Sequence, residues 1–185
     1  MALTESTMLK LGTTAPDFAL TDVVKRKLVS RDDFRDQKAL LVFFICTHCP
    51  YVKHVNEGLA ARGRDYAAQP IGIVAISSND VTTHPEDSPA GLKRQAETYA
   101  FVFPYLYDET QAVAHAYKAA CTPDFFLFDA DRRLVYRGQF DSSRPGSGIP
   151  VTGEDLRAAI DQVLAGQPVP ADQRPSIGCN IKWKA

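Results

Sequence analysis

Ala39-Leu-Leu-Val-Phe-Phe-Ile45-Cys46-Thr47-His48-Cys49-Pro50 is the stretch from which the rest of the chain is read. Residues 39–45 are uninterrupted and apolar, the pattern of a strand buried on both faces of a parallel sheet. The run ends directly in a Cys-x-x-Cys. Beyond Pro50, Val52, Val55 and Leu59 recur at helical spacing up to about Tyr66. The pair therefore falls between a buried strand and a helix, at the carboxyl end of the strand, where open α/β sheets place their sites. Disulfide exchange needs an accessible thiolate and a second thiol close enough to close a ring. A helix start offers free amides and a favourable dipole, which lower a thiol's pKa. The spacing predicts Cys46 as the nucleophile and Cys49, deeper in the helix, as the resolving thiol. A cationic His48 between them would stabilise the Cys46 thiolate and push the pair toward an oxidising potential. Pro50 fits the first helical turn, where a missing N–H costs little.

Outward from this stretch, Ile71–Ile76 reads as a second buried strand, and Ser88-Pro89 opens a helix to about Tyr99. A short strand over Phe103–Tyr107 and a short helix over Thr110–Tyr117 follow. Phe125–Phe128 and Leu134–Tyr136 flank Asp129-Ala-Asp131-Arg132, a hairpin signature. Asp17–Leu20 and Lys27–Ser30 suggest another near the N-terminus. Thr152-Gly-Glu-Asp155 reads as a capping box, with Asp155 in the acidic role, opening a helix that ends near Gly166. The order predicts one α/β domain over residues 1–185, with its core at about 12–166. Residues 167–185 carry Pro168, Pro170 and Pro175 and read as an extended tail. Its apolar island, Ile177-Gly178-Cys179-Asn180-Ile181-Lys-Trp183, is expected to pack back on the domain.

Composition narrows the function. At 185 residues, 45% hydrophobic and 23% charged, the chain can bury a sizeable core and is not of disordered type. Twenty-one basic against 22 acidic residues leave a formal charge of −1, which removes the usual electrostatic reason for a nucleic-acid or anionic-membrane partner. The longest apolar run, Ala39–Cys46, is too short to span a bilayer. The first residues lack a basic-then-apolar secretory pattern, so a cytoplasmic location is expected. Four cysteines are too few for a disulfide scaffold. A zinc site would need two more suitably placed ligands, but Cys121 and Cys179 form no second Cys-x-x-Cys, and His54, His84 and His115 show no paired spacing. No metal and no cofactor are expected.

With these residues in view, the chain resembles the thioredoxin-like superfamily, in its redoxin or AhpC/TSA-like branch. Gly12-Thr-Thr-Ala-Pro16-Asp17-Phe18-Ala-Leu20-Thr-Asp22 is similar to that branch's opening segment, and Asp33-Phe34 matches too. Closer still are peroxiredoxin-like proteins of the thioredoxin family. They resemble Cys46–His54, Ser77-Ser-Asn-Asp80, Cys121-Thr-Pro-Asp-Phe-Phe126 and Pro175–Trp183. The resemblance implies a thioredoxin-like fold: a central mixed β-sheet flanked by helices, an N-terminal hairpin and an extended C-terminal tail. It also implies a cis Thr122-Pro123 bond facing the cysteine pair, which would leave the Thr122 backbone to pair with an extended substrate. Thr47, Thr122 and Pro123 are then substrate-binding residues. From the local sequence alone, Pro123 equally reads as a turn proline before a strand.

The branch contains hydroperoxide reductases and disulfide reductases. Peroxiredoxins carry Pro-x-x-x-Thr/Ser-x-x-Cys. In register with Cys49, the proline and hydroxyl positions hold Val42 and Cys46; in register with Cys46, they hold Ala39 and Phe43. The arginine that peroxiredoxins carry before the strand resembling Phe125–Phe128 is also missing. Relative to thioredoxin, Ile45 replaces a Trp and Leu40 replaces a buried Asp, so a proton leaving Cys49 needs another acceptor: His48, Asp124 or water. The leading reading is a thiol-disulfide oxidoreductase in cell redox homeostasis, acting on protein or small-molecule disulfides or thiols and served by a thiol electron donor. The alternatives are a thiol peroxidase with antioxidant activity and a Cu(I)-binding protein, since soft thiolates favour that ion.

The other cysteines each carry two readings. Cys121, close to Pro123, is an accessory redox thiol or a small buried residue. Cys179 is a resolving thiol or, the favoured reading, part of a structural anchor with Trp183 as the buried group. His54 reads as a solvated or capping residue on the active-site helix. Asp80, Glu86 and Asp87 read as capping and solvation, and Gln139–Pro150 as a surface loop that could rim a substrate groove.

Overall fold

The computed structural model describes residues 2–185. In chain order the elements are β1 (Leu3–Glu5), β2 (Ala19–Asp22), β3 (Leu28–Ser30), β4 (Ala39–Phe44), α1 (Pro50–Asp65), β5 (Ile71–Ser77) and α2 (Pro89–Thr98). They continue with β6 (Tyr105–Tyr107), α3 (Ala112–Ala116), β7 (Cys121–Thr122), β8 (Asp124–Phe128), β9 (Leu134–Gly138), α4 (Glu154–Leu164) and β10 (Ile177–Asn180). Seven strands form a mixed sheet in the order β3-β2-β6-β5-β4-β8-β9, and a second sheet runs β1-β10-β7. The architecture is thioredoxin-like. Among the described residues, no helix is long and apolar enough to cross a membrane.

β4 explains its own sequence. It lies between β5, parallel to it, and β8, antiparallel, with Leu41 opposite Ile73 and Leu127. Alternate side chains then enter opposite cores, so neither set can be polar. Leu41, Phe43 and Ile45 pack with Val52, Val55 and Leu59 of α1 and Ile160 of α4. Leu40, Val42 and Phe44 pack with Tyr117, Phe126 and Phe128 on the other face. Phe43 meets Phe103 edge-on at 5.3 Å between ring centres, a geometry that adds to the area both bury.

The hairpins form as β2–β3 and β8–β9, both antiparallel. Ser88 caps α2, its hydroxyl accepting from the Gly91 amide. The capping box at Thr152 does not form as expected. Gly153 occupies the N-cap with φ +65°, and Asp141 Oδ2 accepts from the Thr152 and Gly153 amides at 2.7 and 2.6 Å. Asp155 instead accepts from Gln139 Nε2. A Cβ on Gly153 would lie 2.6 Å from the Phe140 ring, so the position requires glycine sterically as well as by its φ. The cap is tertiary, supplied from the 139–150 loop, and no three-residue window contains it.

In the tail, β10 pairs antiparallel with β1 on one side and β7 on the other. Ile181, 1% exposed, is the apolar anchor. Trp183 is not the buried group: it remains 39% exposed and stacks on His115 at 4.2 Å. Gly178 permits the close approach of β10 to β7, since a Cβ there would lie 1.9 Å from the Thr122 carbonyl oxygen.

Candidate active site

Cys46 lies in the turn leaving β4, and Cys49 is the N-cap of α1, with φ −67° and ψ 125°. Cys49 thus sits at the free amides of the helix rather than a turn inside it. Both cysteines are 0% exposed, so the accessible thiolate expected of the pair is absent. Cys46 Sγ lies 3.4 Å from Thr122 Oγ1. Cys49 Sγ lies 3.3 Å from the Thr122 carbonyl oxygen and 2.8 Å from the sulfur of Cys179.

Burial and neighbouring groups shift both thiols of the pair. A hydrogen bond from Cys46 lowers the Cys49 pKa to about 5 against the cost of burial, helped by Cys179 and the Val52 amide. The same bond, then burial, then the Asp87 carboxylate raise Cys46. Cys49 lies at the positive end of α1, where the helix favours negative charge on its sulfur. Cys179 keeps its proton: burial and its bond to Cys49 push it up to about 12.

Asp87 organises the opposite side of the site. It is fully buried, which pushes its pKa up, but donors from His48, Thr47 and Asn79 outweigh that and hold it at about 2. Its Oδ1 accepts from the Thr47 amide at 2.8 Å and the Thr47 hydroxyl at 2.7 Å. Its Oδ2 meets His48 Nδ1 at 2.7 Å and accepts from Asn79 Nδ2 at 2.8 Å. The reading of Asp87 as capping and solvation is corrected accordingly. Thr47 is engaged in holding this carboxylate, so its hydroxyl is not presented to a substrate. With Nδ1 occupied, His48 Nε2 is buried and has no hydrogen-bond partner among the described residues, while the ring stacks on His84 at 4.7 Å. Cys46, His48 and Asp87 offer three ligand atoms within 4.8 Å of one another. Only one of the three is the soft thiolate that Cu(I) prefers.

Gln95 is a further positioning residue that sequence reading missed. Its Nε2 donates to the Cys46 carbonyl oxygen at 3.1 Å and to Asn56 Oδ1 at 3.0 Å, while its Oε1 accepts from the Tyr105 hydroxyl. The Cys46 backbone is thus fixed from α1, α2 and β6 together.

The Thr122-Pro123 bond is cis. The Thr122 backbone, however, does not offer an open edge, because Cys179 of β10 lies directly opposite it in antiparallel register. The chain's own tail occupies the place expected for a substrate strand. Cys121 alternates to the other side of β7, where its sulfur faces the carbonyls of Pro123 and Ser176 at 3.6 and 4.0 Å. Burial raises its pKa, followed by the charges of Asp124, Cys49 and Cys179. Asp124 lies on the core face of Phe126 and Phe128, opposite the cysteine pair, and is excluded as the Cys49 proton acceptor. Burial pushes it up to about 7 despite donors that include the Ala120 amide at 3.1 Å. His54 is held by Ser143 Oγ at 3.1 Å rather than solvated. With Tyr51, Pro123, Arg144 and Ile177 it lines a small cleft beside β10, to which the 139–150 loop contributes.

The profile of the AhpC/TSA family matches residues 11–137. The chain belongs to the AhpC/TSA family. This AhpC/TSA protein is 28% identical over 132 residues to thiol-disulfide oxidoreductase ResA of Geobacillus kaustophilus (strain HTA426), covering 68% of this chain and 67% of that one. Its structure superposes on an uncharacterized conserved protein of Geobacillus kaustophilus with a TM-score of 0.97 and 55% identity, over 100% and 97% of the two chains. The thioredoxin domain of a thiol-disulfide oxidoreductase from Bacteroides vulgatus matches at 0.65 with 19% identity, over 84% and 99%, a likeness of fold.

Proposed function

We propose that this AhpC/TSA-family protein is a thiol-disulfide oxidoreductase whose working pair is Cys46 and Cys49. One observation carries the reading: both sulfurs of the Cys-x-x-Cys lie against Thr122 of the cis Thr122-Pro123 bond at the N-terminus of α1, Cys46 Sγ 3.4 Å from its hydroxyl and Cys49 Sγ 3.3 Å from its carbonyl oxygen. The resemblance to ResA supports the same class of activity. With β10 drawn aside from the Thr122 edge to expose it, the Cys49 thiolate attacks one sulfur of a substrate disulfide, forming a mixed disulfide and releasing the other sulfur as a thiolate. Cys46 then gives up its proton and attacks Cys49 Sγ. A Cys46–Cys49 disulfide forms, and the second substrate thiolate leaves. The substrate gains two electrons and the protein loses two; a thiol donor returns them.

His48 is suited to accept the Cys46 proton. Asp87, ionised and bonded to Nδ1, fixes the tautomer whose Nε2 is the unprotonated, unpartnered nitrogen. Asp87 thereby takes the place of the carboxylate missing at Leu40. Peroxide reduction is the weaker reading, since the Cys49 sulfur meets the Cys179 thiol and the Thr122 carbonyl, and no guanidinium among the described residues bonds to it.

Turnover of a disulfide-bonded peptide tests the reading. Cys49→Ser is expected to abolish turnover, and Cys46→Ser to slow it at least tenfold. Wild-type rates in either variant would overturn the assignment of the pair.

A further inference from the structure

We propose that Cys179 is a third member of the redox centre, a second resolving thiol that forms a disulfide with Cys49. The proposal rests on Cys49 reacting with substrate as described above. Cys179 is 130 residues from Cys49 in sequence, yet their sulfurs are 2.8 Å apart. A disulfide bond is about 2.05 Å long, so roughly 0.8 Å of closure converts the contact into a bond, within reach of side-chain rotation.

The backbone is built for the approach. Cys179 stands directly across from Thr122, whose carbonyl oxygen also lies against Cys49 Sγ. Gly178 lets β10 come close enough, because any Cβ there would strike that same oxygen. Cys121 occupies the other face of β7, which leaves Cys179 as the thiol outside the Cys-x-x-Cys that meets Cys49.

Two balanced steps use this contact. In one, a mixed disulfide at Cys49 is attacked by Cys179, giving Cys49–Cys179 and releasing the substrate thiolate, with the Cys179 proton lost to solvent. In the other, Cys179 attacks the Cys49 sulfur of a Cys46–Cys49 disulfide. Cys49–Cys179 forms, and Cys46 departs and takes up the proton that Cys179 loses. The second step is an isomerisation: no electrons enter or leave. Either product covalently staples β10 over the Thr122 edge, so the tail becomes a redox-locked cover.

Glutathione disulfide serves as the probe. Cys46→Ser protein treated with it, digested and mapped by mass spectrometry, is expected to show a Cys49–Cys179 crosslink and little glutathione on Cys49. Cys46→Ser/Cys179→Ser is expected to hold glutathione on Cys49 instead. Persistent Cys49–glutathione in Cys46→Ser, with Cys179 still reduced, would overturn the proposal while leaving the oxidoreductase reading intact. Failure of Cys46→Ser/Cys179→Ser to take up glutathione would instead count against Cys49 chemistry, and this proposal would fall with it. Wild-type protein in a glutathione redox buffer provides a check independent of the variants. Cys49–Cys179 should appear there beside Cys46–Cys49, and its absence would refute the isomerisation.

Discussion

Replacing Asp87 with asparagine keeps the shape of the side chain and removes its charge. The new oxygen can still accept both Thr47 donors, but an amide group then faces His48 Nδ1 and Asn79 Nδ2. His48 adapts by changing tautomer; the buried Asn79 donor loses its partner. A hydrogen bond to a charged group contributes about 1.5–3 kcal/mol, and an orphaned buried donor costs about 1–3 kcal/mol. Linkage gives a figure of similar size for the charge alone. A carboxylate held at about 2 against an ordinary 3.8 contributes on the order of 2.5 kcal/mol. That stability is present above the ordinary value and is lost as pH falls through about 2. The variant should therefore lose roughly 3–5 kcal/mol, a fall in Tm on the order of 10 °C for a chain of this length. Because the carboxylate also raises the Cys46 pKa, the same change should let the Cys46 thiol ionise at lower pH in an ultraviolet titration. Calorimetry of the reduced protein and that titration together test the reasoning. A Tm and a titration both equal to the parent's would refute the role given to Asp87.

Asp124, pushed up to about 7, keeps its proton in the folded chain over a pH range where the unfolded chain has lost it. Stability should therefore fall as pH rises from about 4 to 7, by on the order of 4 kcal/mol, and level off above. Denaturant unfolding of Asp124→Asn should lack that slope, and an unchanged slope would locate it elsewhere. Gly178→Ala should lift β10 and speed labelling of Cys49 and Cys179 by an aromatic disulfide reagent at least tenfold; wild-type labelling rates would show that the strand is not the cover. Cys121→Ser should leave disulfide exchange within about twofold of wild type, and a large loss would return Cys121 to the redox centre. Stopped-flow oxidation by hydrogen peroxide should run no faster than that of free cysteine, and a much faster reaction would favour the peroxidase reading.

The frame of the molecule was legible because its signals are local. An unbroken apolar run such as Ala39–Ile45 has few alternatives to a doubly buried strand, and Ser88-Pro89 carries its own cap. The resemblance placed Thr122-Pro123 opposite the cysteines. What escaped reading is tertiary. Asp87 looks like any loop acid until Thr47, His48 and Asn79 converge on it; the Asn79-Asp80 motif and an acid just before a helix cap were the available hints. Gln95 carries no signal at all beyond its place on the inner face of α2. Spacing alone cannot say which cysteine becomes the N-cap, so the place of Cys49 at the head of α1 is legible only in the fold. Cys179 was weighed mainly as an anchor because its distance from Cys49 depends on strand pairing over 130 residues.

The covering strand is also the last element of the sheet to be synthesised. A chain emerging from the ribosome completes α1 and the Thr122 edge while residues 177–180 are still unmade. Throughout that interval the sulfur of Cys49 lacks the neighbour that Cys179 provides in the finished fold. A chain cut before Ile177 would lack the strand that faces Thr122 and Cys49, leaving that edge open to stray crosslinking.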